Sequence, residues 1–150
     1  MNNQEKSKLD IVGTGSVVIE DTPEIEVAPA QLEMFQDRTL TVLIKHDYYS
    51  ADSSHGRDLL ESFLKALEAK KAVIDRIFVV DSGVKLLDRS NDLYNEFYLL
   101  YSDVPVLTVC QESLEEYGAD TEGLPVNAEV LDSRDIASAI IGLQNVIILE

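Results

Sequence analysis

Residues 77–86 read Ile77-Phe78-Val79-Val80-Asp81-Ser82-Gly83-Val84-Lys85-Leu86. Four β-branched or aromatic residues stop abruptly at Asp-Ser-Gly, the pattern of a short strand running into a tight polar turn. A strand that is apolar at every position is covered on both faces, as strands of parallel sheets are. The pattern recurs on either side. Leu40-Thr41-Val42-Leu43-Ile44 comes before it and opens into a polar stretch, residues 46–55. The run over residues 104–109 comes after it and closes at Cys110, the only cysteine. A weaker strand over residues 126–131 and the final Val146-Ile147-Ile148-Leu149 bring the number to five.

Between the strands the hydrophobic period changes from two to about 3.6. Leu59, Leu60, Phe63, Leu64 and Leu67 share one face of a helix over residues 57–69, and Leu93, Phe97, Leu100 and Tyr101 mark a second over residues 91–101. A short acidic helix over residues 112–117 is stopped by Gly118, and Asp132 or Ser133 caps a last helix over residues 134–143. Strands alternating with amphipathic helices through right-handed crossovers predict an α/β protein. Its form is a three-layer α/β/α sandwich around a mainly parallel sheet of about five strands.

The chain has 150 residues, of which 45% are hydrophobic, enough for one domain with an ordinary core. Residues 1–38 stand apart. Thr14-Gly15 between two short apolar runs has the pattern of a hairpin, but residues 20–29 are acidic, hold two prolines and carry no helical stripe. They are read as an arm or linker preceding a domain over residues 39–150.

Against 12 basic residues stand 28 acidic ones, a formal net charge of -16. Such a field repels phosphate backbones and anionic lipid surfaces, so neither nucleic acid nor a membrane is an expected partner. No run approaches the roughly 18 apolar residues of a membrane span, and no apolar core follows the first lysines. A cytoplasmic protein is expected. One cysteine forms no internal disulfide and no thiolate zinc cluster, while His46 and His55 fall in a loop-like stretch; no metal and no cofactor are called for.

In a parallel sheet the loops following the strands share one edge, where ligands bind. That edge gathers residues 46–55, residues 81–85 and Cys110. A strand-to-helix junction brings unpaired N–H groups near a thiol, which favours thiolate. Lys85 would act in the same sense, and Glu112, Glu115 and Glu116 in the opposite one. His55, beside Gly56-Arg57 at a helix start, is the histidine placed to face the site; capping or solvent contact is its plainer role. Cys110 itself stays open between a reactive thiol and a small core residue. Tyr94, Phe97, Tyr98 and Tyr101 form a stripe suited to packing or to an oligomer contact. The chain lacks a complete Gly-x-Gly-x-x-Gly, a Gly-Lys-Ser/Thr phosphate loop and a Gly-x-Ser-x-Gly elbow.

Asp81-Ser82-Gly83-Val84-Lys85-Leu86, the strand ending in Cys110, Ser113-Leu114-Glu115-Glu116-Tyr117-Gly118 and Asn127-Ala128-Glu129-Val130 together resemble the DsrE/DsrF-like family. The likeness is greatest to the C-terminal domain of YedF-type, sulfurtransferase-like selenium-metabolism proteins. His55-Gly56-Arg57-Asp58 also matches that domain's first loop and helix, and the resemblance covers about residues 39–150. It implies an α/β/α sandwich, homo-oligomers and, in active members, sulfur carried as a cysteine persulfide. By position Cys110 matches the first cysteine of a Cys-Gly-Thr-Cys-Leu-like motif, but the chain reads Cys110-Gln111-Glu112-Ser113-Leu114, with Ser113 in place of the second cysteine. No Cys-Pro carrier module precedes the domain.

The expectation is a sulfur-relay protein that holds sulfane sulfur on Cys110, with Ser82, Gly83, Lys85 and His55 lining the pocket and a sulfur donor or acceptor protein as partner. A sulfurtransferase-like activity is the candidate enzymology. The alternative is a non-catalytic, oligomeric binding or assembly subunit with the same fold and a structural cysteine. A nucleotide- or flavin-binding module follows only by analogy of the sheet edge.

Overall fold

A computed structural model of the chain describes residues 37–119 and 122–150. The hairpin and most of the arm expected within residues 1–38 therefore lie outside the described residues.

The apolar runs become β1 (Leu40–Ile44), β2 (Ile74–Val79), β3 (Val106–Cys110), β4 (Ala128–Leu131) and β5 (Val146–Leu149). They form one sheet in the order β4-β3-β2-β1-β5, parallel at every pairing. The helices are α1 (Ser54–Glu68), α2 (Tyr94–Tyr101), α3 (Gln111–Glu116) and α4 (Ser133–Ile140). Two 3₁₀ segments, Lys71–Val73 and Asp81–Leu87, flank β2.

Side chains alternate between the two faces of the sheet. Val42, Ile44, Ile77, Val79, Leu107 and Val109 point to one face, where they pack with Leu60, Leu64 and Leu67 of α1, Phe97 and Leu100 of α2, and Leu114 of α3. Full burial of a leucine- or phenylalanine-sized side chain contributes about 1.5–3 kcal/mol of transfer energy each, so this is the main core. The opposite face holds a smaller cluster, Phe78, Cys110 and Ile136, under α4. Among the described residues, three helices thus cover one face and a single eight-residue helix covers the other. Ile141, Leu143, Ile147 and Ile148, around the end of α4 and the edge strand β5, are 79%, 44%, 39% and 47% exposed.

Boundaries differ from the sequence expectation for local reasons. The first helix starts at Ser54, three residues early, because Ser53 Oγ accepts the Gly56 N–H at 3.0 Å and closes its first turn. The second starts at Tyr94 because Asn91 Oδ1 accepts the Leu93 N–H at 2.8 Å and holds a turn ahead of it. Asp132 caps α4, its carboxylate accepting the Asp135 N–H at 2.8 Å, but the helix ends at Ile140. Gly118, at φ 64°, follows α3 in the left-handed conformation that glycine adopts without strain. Cys110 belongs to β3 itself, paired with Leu131 of β4.

Candidate functional site

The C-terminal edge of β1, β2 and β3 does bring three segments together, as parallel connectivity requires. Asp81, two residues past the end of β2, takes φ 52°, a left-handed conformation that costs a non-glycine residue energy and persists only where neighbours hold it. Two contacts do so. The Asp81 N–H donates to Ser113 Oγ at 2.7 Å, and the Tyr117 hydroxyl donates to Asp81 Oδ1 at 3.0 Å. The bond to the Asp81 carboxylate raises the Tyr117 pKa above its ordinary value, with partial burial adding to the effect.

Asp81 Oδ2 lies 3.6 Å from His46 Nδ1, and the same ring nitrogen is 3.0 Å from Ser82 Oγ, the donor depending on the tautomer. Tyr48 stacks on the His46 ring at 4.7 Å between centroids. Ser82 is 6% exposed. Serine and aspartate thus meet one and the same imidazole nitrogen, whereas a hydrolytic relay needs them on opposite nitrogens. The group is a latch that joins the ends of β1, β2 and α3.

Gly83 is the residue that lets the latch close. Its N–H donates to Val80 O at 3.0 Å and Lys45 O at 3.2 Å, and a Cβ at this position would sit 2.9 Å from Ile44 O. Lys85 projects from the same 3₁₀ helix, its Nζ 5.0 Å from the centre of the Tyr117 ring.

Cys110 is set apart from this group. It points to the face opposite Val84 and Leu86, between Phe78 and Ile136, and is 4% exposed. Its thiol is directed at Glu112 Oε1 at 3.5 Å. That carboxylate also accepts the Ser133 N–H at 2.8 Å and the Ser133 hydroxyl at 3.0 Å. The Glu112 pKa is lowered, chiefly by its own backbone N–H and then by Ser133. The sulfur therefore faces negative charge.

Of the residues singled out from sequence, Ser82, Gly83 and Lys85 lie on one 3₁₀ helix at the expected edge. Cys110 is near them in strand order but on the other side of the sheet. It is His46 that meets Ser82; His55 lies exposed in the first turn of α1. Tyr117 was legible only as a helix residue, and Ser113 only as a helix residue in the place of a second cysteine, since their roles at this edge depend on Asp81 adopting a positive φ. Among the described residues no group of three or more His, Cys, Asp or Glu side chains is arranged to hold a metal ion. No described helix is long and apolar enough to cross a membrane.

No family model and no curated protein sequence matches the chain. Solved structures share its architecture, among them the following two. MTH1491 of Methanobacterium thermoautotrophicum, described as a protein of unknown function, superposes with a TM-score of 0.51 at 19% identity, covering 75% of this chain and 99% of its own. The ychN protein of E. coli superposes with a TM-score of 0.52 at 17% identity, covering 73% and 99% respectively. At these identities the likeness concerns the fold alone, and that fold is the DsrE-like α/β/α sandwich.

Proposed function

We propose that this protein is a non-catalytic binding and assembly subunit with the DsrE-like fold, in which Cys110 serves as a packed core residue. The observation that carries this reading is the setting of the Cys110 sulfur, 4% exposed beneath α4 with its thiol directed at the Glu112 carboxylate. Sulfur transfer needs a thiolate that reaches a donor sulfur, and its persulfide product is an anion. Here the anion would form 3.5 Å from a carboxylate oxygen. Ser113, in the place of a second cysteine, is engaged as the acceptor for the Asp81 N–H.

The sulfur-relay reading draws on the resemblance to YedF-type C-terminal domains and on the strand-end position of Cys110. It requires the sulfur to leave its contacts with Phe78 and Ile136 before reacting.

Assembly with further copies of the chain has support in the sparse cover that the described residues give the α4 face. Among the described strands β5 is an edge strand, with Ile147 exposed on one side and Ile148 on the other, and Ile141 and Leu143 are exposed in the segment leading into it. Apolar side chains gathered along an open strand edge favour association over exposure to water. Sedimentation of the full-length protein tests this. The wild type and Cys110→Ala are expected to sediment as the same oligomer, and an Ile141→Lys/Ile148→Lys variant as a single chain. A wild type that is a single chain at every concentration, or an oligomer indifferent to both lysines, would overturn the assembly reading.

A further inference from the structure

A concavity lies on the main-core side of the sheet, between the 3₁₀ helix Asp81–Leu87, α2, α3 and described residues of the stretch that follows α3. It encloses about 440 Å³, within the range of roughly 300–1,000 Å³ typical of small-molecule sites. Val84, Leu87 and Leu114 give it an apolar lining. Lys85 and Arg89 also line it, together with the phenol rings of Tyr94, Tyr101 and Tyr117.

The two cations are unusual in their context. In a chain with 28 acidic residues, the ordinary neighbour of a lysine or arginine is a carboxylate. Among the described residues the ion pairs engage Lys45, Arg57, Lys65, Lys71 and Arg76, and none engages Lys85 or Arg89. Among the described lining residues the one carboxylate, Asp88, is turned to Ser90, whose N–H and hydroxyl both donate to its Oδ1 at 2.9 Å. The described lining therefore sets two cations and one carboxylate beside three phenol rings.

One wall is fixed before any ligand arrives. The Tyr117 hydroxyl is tied to Asp81, and Lys85 Nζ lies over the face of the same ring. Tyr101, 3% exposed, is wedged against Phe97 and Tyr98 at ring separations of 5.0 and 5.6 Å. Rings and cations already in position lower the ordering cost of binding.

We propose that this cleft binds a small organic anion with a flat aromatic body, its anionic head held by Lys85 and Arg89 and its ring received between Tyr94 and Tyr117. An ammonium and a guanidinium select an anionic head, and the apolar lining selects a body that inorganic anions lack. The site is independent of Cys110, which lies on the opposite face of the sheet.

The test is calorimetric titration of the full-length protein with phenyl phosphate, benzoate and inorganic phosphate, repeated with Lys85→Ala, Arg89→Ala, Arg89→Lys and Cys110→Ser. Lys85 and Arg89 are exposed, and matching melting temperatures will show that their variants fold. The expected result is saturable binding of phenyl phosphate, benzoate or both. Each alanine variant should weaken it by about tenfold or more, as loss of a charged hydrogen-bonding group does. Arg89→Lys should weaken it less, and Cys110→Ser not at all. The head group that binds then identifies a phosphate or a carboxylate ligand. Three results would overturn the proposal: no saturable binding of either aromatic probe, binding unchanged in both alanine variants, or inorganic phosphate binding as tightly as phenyl phosphate.

Discussion

The main-chain N–H of Asp81 donates to the Ser113 hydroxyl at 2.7 Å. The bond ties the end of β2 to α3 and supports Asp81 at φ 52°. A hydroxyl at position 113 is a better hydrogen-bond acceptor than a thiol would be, and it serves a strained backbone position, Asp81.

Ser113→Ala leaves the Asp81 N–H without its acceptor and is expected to lower stability by about 1–3 kcal/mol. Ser113→Cys should recover only part of the loss, because sulfur accepts weakly. Urea unfolding of the three proteins measures both effects, and equal midpoints would show that the bond supports nothing.

Tyr117 titrates late because its hydroxyl donates to Asp81. Its folded-state pKa is raised above the ordinary tyrosine value of about 10. The associated stability is therefore fully present below that pH and is lost as pH rises through the raised value. Tyr101 is also raised, mainly by burial. Tyrosinate absorbance during alkaline titration should show late-ionising phenols, with Tyr117→Phe removing one and Asp81→Asn moving one back toward the ordinary range. An alkaline titration unaltered in Asp81→Asn would contradict the assignment.

Gly83→Ala places a methyl group 2.9 Å from Ile44 O, 3.2 Å from Val79 Cγ1 and 3.4 Å from His46 N. None of these atoms is the free end of a flexible side chain. The variant is expected to lose about 1–3 kcal/mol through forced backbone shifts and to separate His46 from Ser82. Thermal unfolding gives the first quantity and the His46 ring signals in NMR spectra the second; a stable variant with unchanged His46 signals would refute it.

Much of the fold could be read because its strands are apolar on both sides. Leu40–Ile44 appears in the structure with the bounds its sequence suggests. The start of β2 was hidden by Asp75 and Arg76, which look like loop residues; Arg76 lies over the Phe78 ring at 5.6 Å and near Glu129 at 3.8 Å, uses of charge that only the folded sheet creates. The candidate site was legible to the level of its loops and no further. Parallel connectivity put Ser82, Lys85 and Cys110 at one edge, but a single step of strand alternation separates Val109 from Cys110 and sends the sulfur to the opposite face. The choice between His46 and His55 depended on a loop that includes Ser50 at φ 75°, a conformation that residue type does not announce.

The central claim, that Cys110 packs and does not carry sulfur, is tested most directly by intact-protein mass spectrometry after incubating the folded chain with a sulfane donor, with Cys110→Ser as control. No mass gain is expected while the protein stays folded, with Cys110 becoming open to alkylation only on unfolding. A gain of one sulfur atom on the folded wild type, absent from Cys110→Ser, would contradict the claim and restore the relay reading.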